Sequence, residues 1–278
     1  MLTLFSPAKL NLFFRVIQKR PDGFHEIASL FQAIDLGDTL SIQLADGEDH
    51  LTCTDPSLPT DKTNLILRAA DLFREKTGLS NHFAFKLEKN IPKEAGLGGG
   101  SSNAATTLWG LNQLLKTKID DQTLAAWGSE LGSDIPFFFS QGTTYCEGRG
   151  EILTPVSLPA SKVYWLAKPQ EGLSTPKVFQ TTRVDRLSSR DPKVTLSQNL
   201  QGQETYYNDL EEAAFTLMPS LTTLKSNLLN LGFSSVHMTG SGTTFFCLGI
   251  PKDTALPGVQ FFQVNTTERV NNRWYTGT

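Results

Sequence analysis

The sequence predicts an α+β protein of two domains, and three observations carry that prediction. Strand-like and helix-like patterns are interleaved without the strict strand–helix–strand alternation of a parallel sheet. Two β-like stretches, "LNLFFRVI" (Leu10–Ile17) and "FHEIASLFQAI" (Phe24–Ile34), precede the first helix. Near the middle, "TPVSLPAS" (Thr154–Ser161) interrupts the pattern with two prolines. That joint divides the 278 residues into 1–155 and 156–278, each long enough for its own core.

The first two strands flank "QKRPDG", whose Pro-Asp-Gly is a turn signal. "LSIQL" (Leu40–Leu44) alternates apolar and polar residues, as a half-buried strand does. Asn64 is a good N-cap for a helix with Leu65, Ile66, Ala69, Leu72 and Phe73 on one face and Gly78 as terminator. "FAFKLEKN" (Phe83–Asn90) is the next strand. After a glycine-rich loop, Ala104, Leu108, Leu111 and Leu115 recur at helical spacing from a start near Ser101, and a short helix follows from Asp121 to Leu131. Beyond the joint, "VYWLA" reads as a buried strand, and Arg183–Thr205 as a polar excursion without pattern. Asn208 caps a long amphipathic helix through Leu231, bent at Pro219 and stopped by Gly232. "SSVHM", the turn "TGSG" and "TFFCLGI" make a strand–loop–strand pair.

Composition narrows the function classes. Apolar residues are 39% and charged residues 19% of the chain, as in globular proteins, and the net charge of −3 disfavours nucleic acid or a membrane surface as partner. No apolar run approaches the length of a membrane helix, and "MLTLFSPAKLNLFF" has neither the basic start nor the small-residue cleavage site of an export signal. Cys53, Cys146 and Cys247 are odd in number and contain no CxxC pair, which fits a reducing compartment and no zinc site. A cytoplasmic protein with no obligate protein partner is the expectation.

The most informative stretch is "EAGLGGGSSNAA", residues 94–105. Glycines let backbone N–H groups approach a ligand closely, and the free amides of a following helix N-terminus favour anions. The loop lacks the lysine of a Walker sequence, and Gly96-Leu97-Gly98-Gly99-Gly100-Ser101 ends in serine where a dinucleotide fingerprint ends in glycine. On these residues alone it binds a phosphate whose identity is open. Elsewhere, Lys9 and Asn11 share one face of a strand, and Asp134 lies between a helix end and an apolar run, a poor place for an unpaired carboxylate.

"SPAKLNLFFRVIQKRPDGFHEIASLFQAIDLGDTL", "IPKEAGLGGGSSNAA" and "HMTGSGTTFF" stand in the order of the three motifs of the GHMP kinases, which the chain resembles. Within them, "PAKLNL", "KRPDGFHE", "LGSDIPFFF", "GRGEILTP" and "YNDLE" are similar to the 4-diphosphocytidyl-2-C-methyl-D-erythritol kinases, so the resemblance runs over most of the chain. It implies a ribosomal-S5-domain-2-like N-terminal ATP-binding domain and a ferredoxin-like C-terminal domain. ATP and a small-molecule substrate would lie between them, with Mg²⁺ on the phosphates and no ligand residue for it evident.

The resemblance also assigns roles. Asp134 would be the general base and Lys9 its electrostatic partner. Gly96, Gly98, Gly99, Gly100, Ser101 and Ser102 would hold the ATP phosphates. Asn64 and Lys89 would lie toward adenine, although a helix cap and a strand end account for them equally. Asn11, His25, and the aromatic pair Phe24 and Phe179 would hold the cytidyl substrate. Gly240, Ser241 and Gly242 would close on a substrate phosphate. The family commonly carries Tyr at the place of Phe24, which preserves stacking and removes a hydroxyl. Two rivals stand beside this reading. A mevalonate- or homoserine-type kinase gives Phe24 and Phe179 no base to stack on. A non-catalytic nucleotide-binding protein does not need both Lys9 and Asp134.

Overall fold

The structure is a computed structural model that describes all residues except 188, 272 and 278. In chain order the first part contains β1 (Leu2–Lys19), β2 (His25–Ala45), β3 (His50–Cys53), α1 (Leu65–Thr77), β4 (His82–Glu88), α2 (Gly99–Leu115), α3 (Asp121–Ser129), β5 (Thr143–Glu147) and β6 (Ile152–Pro155). The second part contains β7 (Val163–Pro169), α4 (Thr175–Thr181), α5 (Pro192–Leu200), β8 (Tyr207–Asn208), α6 (Glu211–Leu217), α7 (Ser220–Asn230), β9 (Ser235–Met238), β10 (Phe245–Leu248) and β11 (Val259–Asn265). Both are α+β.

β1 and β2 form one long antiparallel hairpin across the expected turn, where Asp22 Oδ1 accepts from the Phe24 amide at 3.1 Å. The two strands expected at Phe24–Ile34 and Leu40–Leu44 are one. The ladder passes from Pro7↔Gly37 to Ala8↔Ile34, so Asp35 and Leu36 are absorbed as a bulge instead of ending the strand. β2 then changes neighbour along its length: Ser29–Gln32 pair with β5, and Thr39–Ala45 pair with β4. The sheet runs β3-β4-β2-β1-β8, with β5 and β6 off the β2 side. Phe31, Ile42, Phe83 and Phe85 meet α1, α2 and the 3-10 turn Pro136–Phe139 through Phe73, Leu108, Leu111, Phe137 and Phe138.

The second sheet is antiparallel, in the order β11-β7-β10-β9. Leu221, Leu224, Leu228 and Ala214 of α6 and α7 pack with Val236, Met238 and Phe245. A separate apolar layer joins the sheets, with Leu10, Leu12, Phe13 and Leu30 against Tyr164, Leu166, Phe246 and Val264. β1 therefore carries core on both sides and brings its residues to the junction of the two sheets.

Three further expectations change. The long helix after Asn208 is two, because Pro219 cannot donate to the helical ladder and α6 ends at Leu217. Asn208 lies in β8. Its Oδ1 accepts from Leu210 N at 2.9 Å, and its amide donates to the carbonyls of Met238 and Gly240 at 2.7 Å each. The excursion Arg183–Thr205 contains α5, capped by Asp191 through Lys193 N at 2.8 Å with Pro192 in the first turn. The Asn64 cap and Gly78 terminator stand as expected: Asn64 Oδ1 accepts from Ile66 N, and Gly78 has φ 72°.

Candidate active site

The glycine loop is shaped by its backbone. Gly96 and Gly98 have φ of 73° and 72°, a region closed to most side chains. α2 starts at Gly99, two residues earlier than expected, and its first helical bond runs from Ser102 N to the Gly98 carbonyl at 2.9 Å. The amides of Gly99, Gly100 and Ser101 have no acceptor among the described residues and sit at the positive end of a 17-residue helix. Lys9 N donates to the Leu97 carbonyl at 2.9 Å, which pins the loop to β1. A Cβ on Gly98 would approach the Lys9 side chain to 3.0 Å, so the bare backbone makes room for that lysine.

Lys9 is buried, with its Nζ donating to Asn11 Oδ1 at 2.6 Å and lying 4.6 Å from the Phe31 ring centroid. Asn11 is held in turn, its amide donating to Ser29 Oγ at 2.9 Å. Lys9 Nζ stands 3.4 Å from Asp134 Oδ2, the two side chains being 4% and 35% exposed. Asp134 occupies the turn between α3 and Pro136–Phe139, and Lys9 is its charged partner among the described residues. Burial, reinforced by the nearby Asp134 charge, keeps the Cys146 thiol protonated, so it offers no competing nucleophile.

The second glycine loop closes against the first. A Cβ on Gly96 would lie 2.2 Å from the Thr239 carbonyl oxygen, and one on Gly240 would lie 3.1 Å from Asn11 Oδ1. Asn11 N donates to Thr239 Oγ1 at 2.9 Å, and Ser241 Oγ pairs with Thr175 Oγ1 at 2.7 Å. Further along the cleft, the rings of His25 and Phe179 lie 5.3 Å apart. Phe24 is 55% exposed and carries the Arg149 guanidinium over its face at 5.0 Å. Burial, and then the charge of Lys19, hold the His25 imidazole below its ordinary pKa, so it is neutral at pH 7.

One cleft of about 1060 Å³ joins these groups. Lys9, Asp134, Phe24, His25, Phe179, Asn64, Lys89, Gly96, Gly98, Gly99, Gly100, Ser101, Gly240 and Ser241 all line it. Asn11, Ser102 and Gly242 do not. Asn11 is committed to Lys9 and Ser29, and Ser102 is fully buried, its hydroxyl without a partner among the described residues. Asn64 is at once cleft wall and helix cap. Lys89 is tied to Asp38 at 3.0 Å, and its pKa is lowered by burial against the opposing pull of that carboxylate. Sequence reasoning missed Asp38 and Arg149. The run "DLGD" gave no sign that Asp38 meets Lys89 and Asn103, 51 and 65 residues away. Arg149 lay inside the quoted "GRGEILTP" without a role.

The free amides suit a polyphosphate, since three donors and a helix dipole converge there without a side chain in the way. Among the described residues no three His, Cys, Asp or Glu side chains come together as a metal site. A magnesium ion fits this cleft only as one carried mainly by phosphate oxygens and water, with the Ser101 hydroxyl the loop oxygen on the cleft wall. Among the described residues no helix is long and apolar enough to cross a membrane.

Comparison with known proteins gives the family. Residues 64–142 match the GHMP kinases N terminal domain and residues 193–258 the GHMP kinases C terminal family. A 4-diphosphocytidyl-2-C-methyl-D-erythritol kinase of Protochlamydia amoebophila (strain UWE25) is 48% identical over 276 residues, covering 99% of this chain and 93% of the relative. A solved 4-(cytidine 5'-diphospho)-2C-methyl-D-erythritol kinase superposes with a TM-score of 0.79 at 31% identity, covering 96% of this chain and 99% of that one. A homoserine kinase from Cytophaga hutchinsonii superposes at 0.72 with 17% identity, covering 96% of this chain and 94% of that one, and shares the fold alone. With its two-domain α+β fold, the chain belongs to the GHMP kinases, in the family of 4-diphosphocytidyl-2-C-methyl-D-erythritol kinases.

Proposed function

We propose that this kinase transfers the γ-phosphoryl group of ATP to the 2-hydroxyl of 4-diphosphocytidyl-2-C-methyl-D-erythritol, in the cytoplasm, as a step in non-mevalonate isoprenoid precursor synthesis. The observation that carries the reading is the Lys9–Asp134 pair, 3.4 Å apart, in the same cleft as three free amides at the start of α2. Residues 1–155 would form the ATP-binding unit and 156–278 the second unit.

The residues divide the work by their surroundings. Asp134 is partly exposed and has one charged partner, so it keeps acceptor capacity for the proton of the substrate hydroxyl. Such a base contributes about 10²–10⁴ in rate. Lys9 is held by Asn11 in the space that Gly98 leaves open, and its charge favours both the ionised hydroxyl and the negative charge developing on the transferring group. Gly99, Gly100 and Ser101 would donate amides to the triphosphate. ATP with Mg²⁺ supplies the phosphoryl group and the neutralising charge when bound. His25, neutral, would hydrogen-bond the cytosine, with Phe24 and Phe179 giving it apolar faces. Stacking of this kind contributes about 1–3 kcal/mol per base. Lys89 and Asn64 would form the wall beside the nucleotide.

The test is ADP release from ATP and Mg²⁺ with the cytidyl substrate, mevalonate or homoserine as acceptor. Turnover with the cytidyl substrate alone is expected. No ADP release with it, or equal rates with mevalonate, removes the proposal.

A further inference from the structure

The chain beyond β11 does not stay with the second sheet. Thr266 bridges to Ile34, and Thr267 N donates to the Ala33 carbonyl at 2.9 Å. Ala33 is the residue opposite Lys9 in the β1–β2 ladder. Lys9 and Ala33 are a non-hydrogen-bonded pair of that ladder, so the Ala33 amide faces away from β1 and donates to the Gly142 carbonyl at 2.7 Å. Arg269 N donates to the Gln141 carbonyl at 3.0 Å. Gly142 has φ 102°, and a Cβ there would lie 2.7 Å from the Thr267 carbonyl oxygen, so this close approach depends on glycine.

The Arg269 side chain then reaches around the turn that carries Asp134. Its Nη1 donates to the Phe139 carbonyl at 2.6 Å, its Nη2 to Asp121 Oδ2 at 2.5 Å, and its Nε to the Arg273 carbonyl at 2.7 Å. The guanidinium is 1% exposed and lies 5.0 Å from the Trp274 ring. Phe139 ends the 3-10 turn after Asp134, and Asp121 starts the helix before it. One guanidinium therefore holds the far ends of both elements between which residues 130–135 are strung. The planar fork is what makes this possible, because its donors diverge at fixed angles.

We propose that residues 266–269 form a strap that positions the Lys9–Asp134 pair from behind, with Arg269 as its positioning residue. The proposal rests on reading Asp134 as the general base. The strap grips the strand partner of Lys9 at Ala33 and both flanks of Asp134, and touches neither catalytic side chain. Its effect falls on the distance and angle between the two, which matter in the transition state and not in binding either substrate.

The experiment compares full-length wild type, Arg269→Met, Asp134→Asn and the double variant by steady-state kinetics, with active-site concentrations normalised. Arg269→Met lowers kcat by about tenfold or more, while KM for ATP and for the cytidyl substrate each stay within about twofold. In the Asp134→Asn background the same change costs less than about twofold, because the group it positions is gone. If kcat of Arg269→Met holds while its Tm falls, or if the two losses multiply, the strap is structural only and the proposal is overturned. Near wild-type turnover of Asp134→Asn overturns the general-base reading and the strap proposal with it, an outcome distinct from failure of the strap alone. Should Arg269→Met not fold, Asp121→Asn removes one arm at a half-exposed partner. A fall in kcat at constant KM then supports the strap, and unchanged kcat overturns it.

Discussion

Two buried lysines stand beside aspartates at this cleft, and they do opposite things. Lys89 meets Asp38 at 3.0 Å, and Lys9 meets Asp134 at 3.4 Å. Asp38 is fully buried and saturated: it also accepts from the amides of Asn90 and Ile91 at 2.7 and 2.8 Å and from Asn103 Nδ2 at 3.0 Å. Lys89 donates onward to the Ile91 carbonyl. Each oxygen of Asp38 accepts from at least two donors, so the cluster fixes the end of β4 against α2 and the carboxylate has no acceptor capacity left for a substrate. Asp134 keeps one partner and a third of its surface. The lesson is that saturation, more than residue type or charge, separates a structural ion pair from a reactive one.

The largest effect that tests this contrast is Asp134→Asn. It removes proton acceptance and keeps shape, so kcat falls by about 10²–10⁴. Asp134 is 35% exposed although Lys9 is buried, so water screens part of the lost charge and stability in urea falls by less than in an Asp38→Asn variant, by about 1–2 kcal/mol. A large stability loss here places Asp134 with Asp38 and breaks the comparison.

Asp38→Asn reverses the pattern. Lys89 is left charged and buried without its counter-ion, a loss of about 3–5 kcal/mol when one partner of a buried pair is removed. The kcat of the molecules that remain folded falls far less than in Asp134→Asn. Equilibrium unfolding and active-site-normalised turnover on the same samples decide the matter. An Asp38 variant that is stable but inactive assigns the saturated pair to the chemistry and sinks the distinction.

Much of the site was legible because it depends on local chemistry. Lys9 and Asn11 share a strand face by the two-residue period, and they touch at 2.6 Å. The glycine run before an amphipathic helix forecast free amides, and α2 supplies them. Asn64 and Gly78 end their helix as their side-chain chemistry dictates. What stayed hidden depends on long-range contacts. Asp38 acquires its meaning from Lys89 and Asn103, and Arg269 from Asp121 and Phe139. The continuity of β2 through "DLGD" was concealed because the bulge that accommodates it is a property of the pairing with β1. The break at Pro219 was misjudged in degree: proline permits a kink or a stop, and the packing of α6 and α7 on the second sheet selects the stop.

The smallest effect concerns two histidines that extend the comparison to neutral groups. His237 is half-buried, its Nε2 paired with Ser235 Oγ at 2.6 Å, and desolvation pushes its pKa down to about 4. His25 opens onto the cleft and is lowered by burial and by Lys19. For His237 the folded value lies below the unfolded one near 6.5, so between them the unfolded chain binds the extra proton. Its contribution to stability is present above pH 6.5 and is lost as pH falls toward 4. For His25 the same sign applies to binding: the neutral ring is competent, and KM for the cytidyl substrate is flat above pH 6.5 and rises only below it. The two are separable because partial unfolding lowers apparent kcat without changing KM. His25→Gln, which cannot titrate, abolishes the acid rise in KM and leaves the acid loss of stability in place. A KM that climbs already above pH 6.5 is incompatible with a depressed His25 and places a protonated ring against the base.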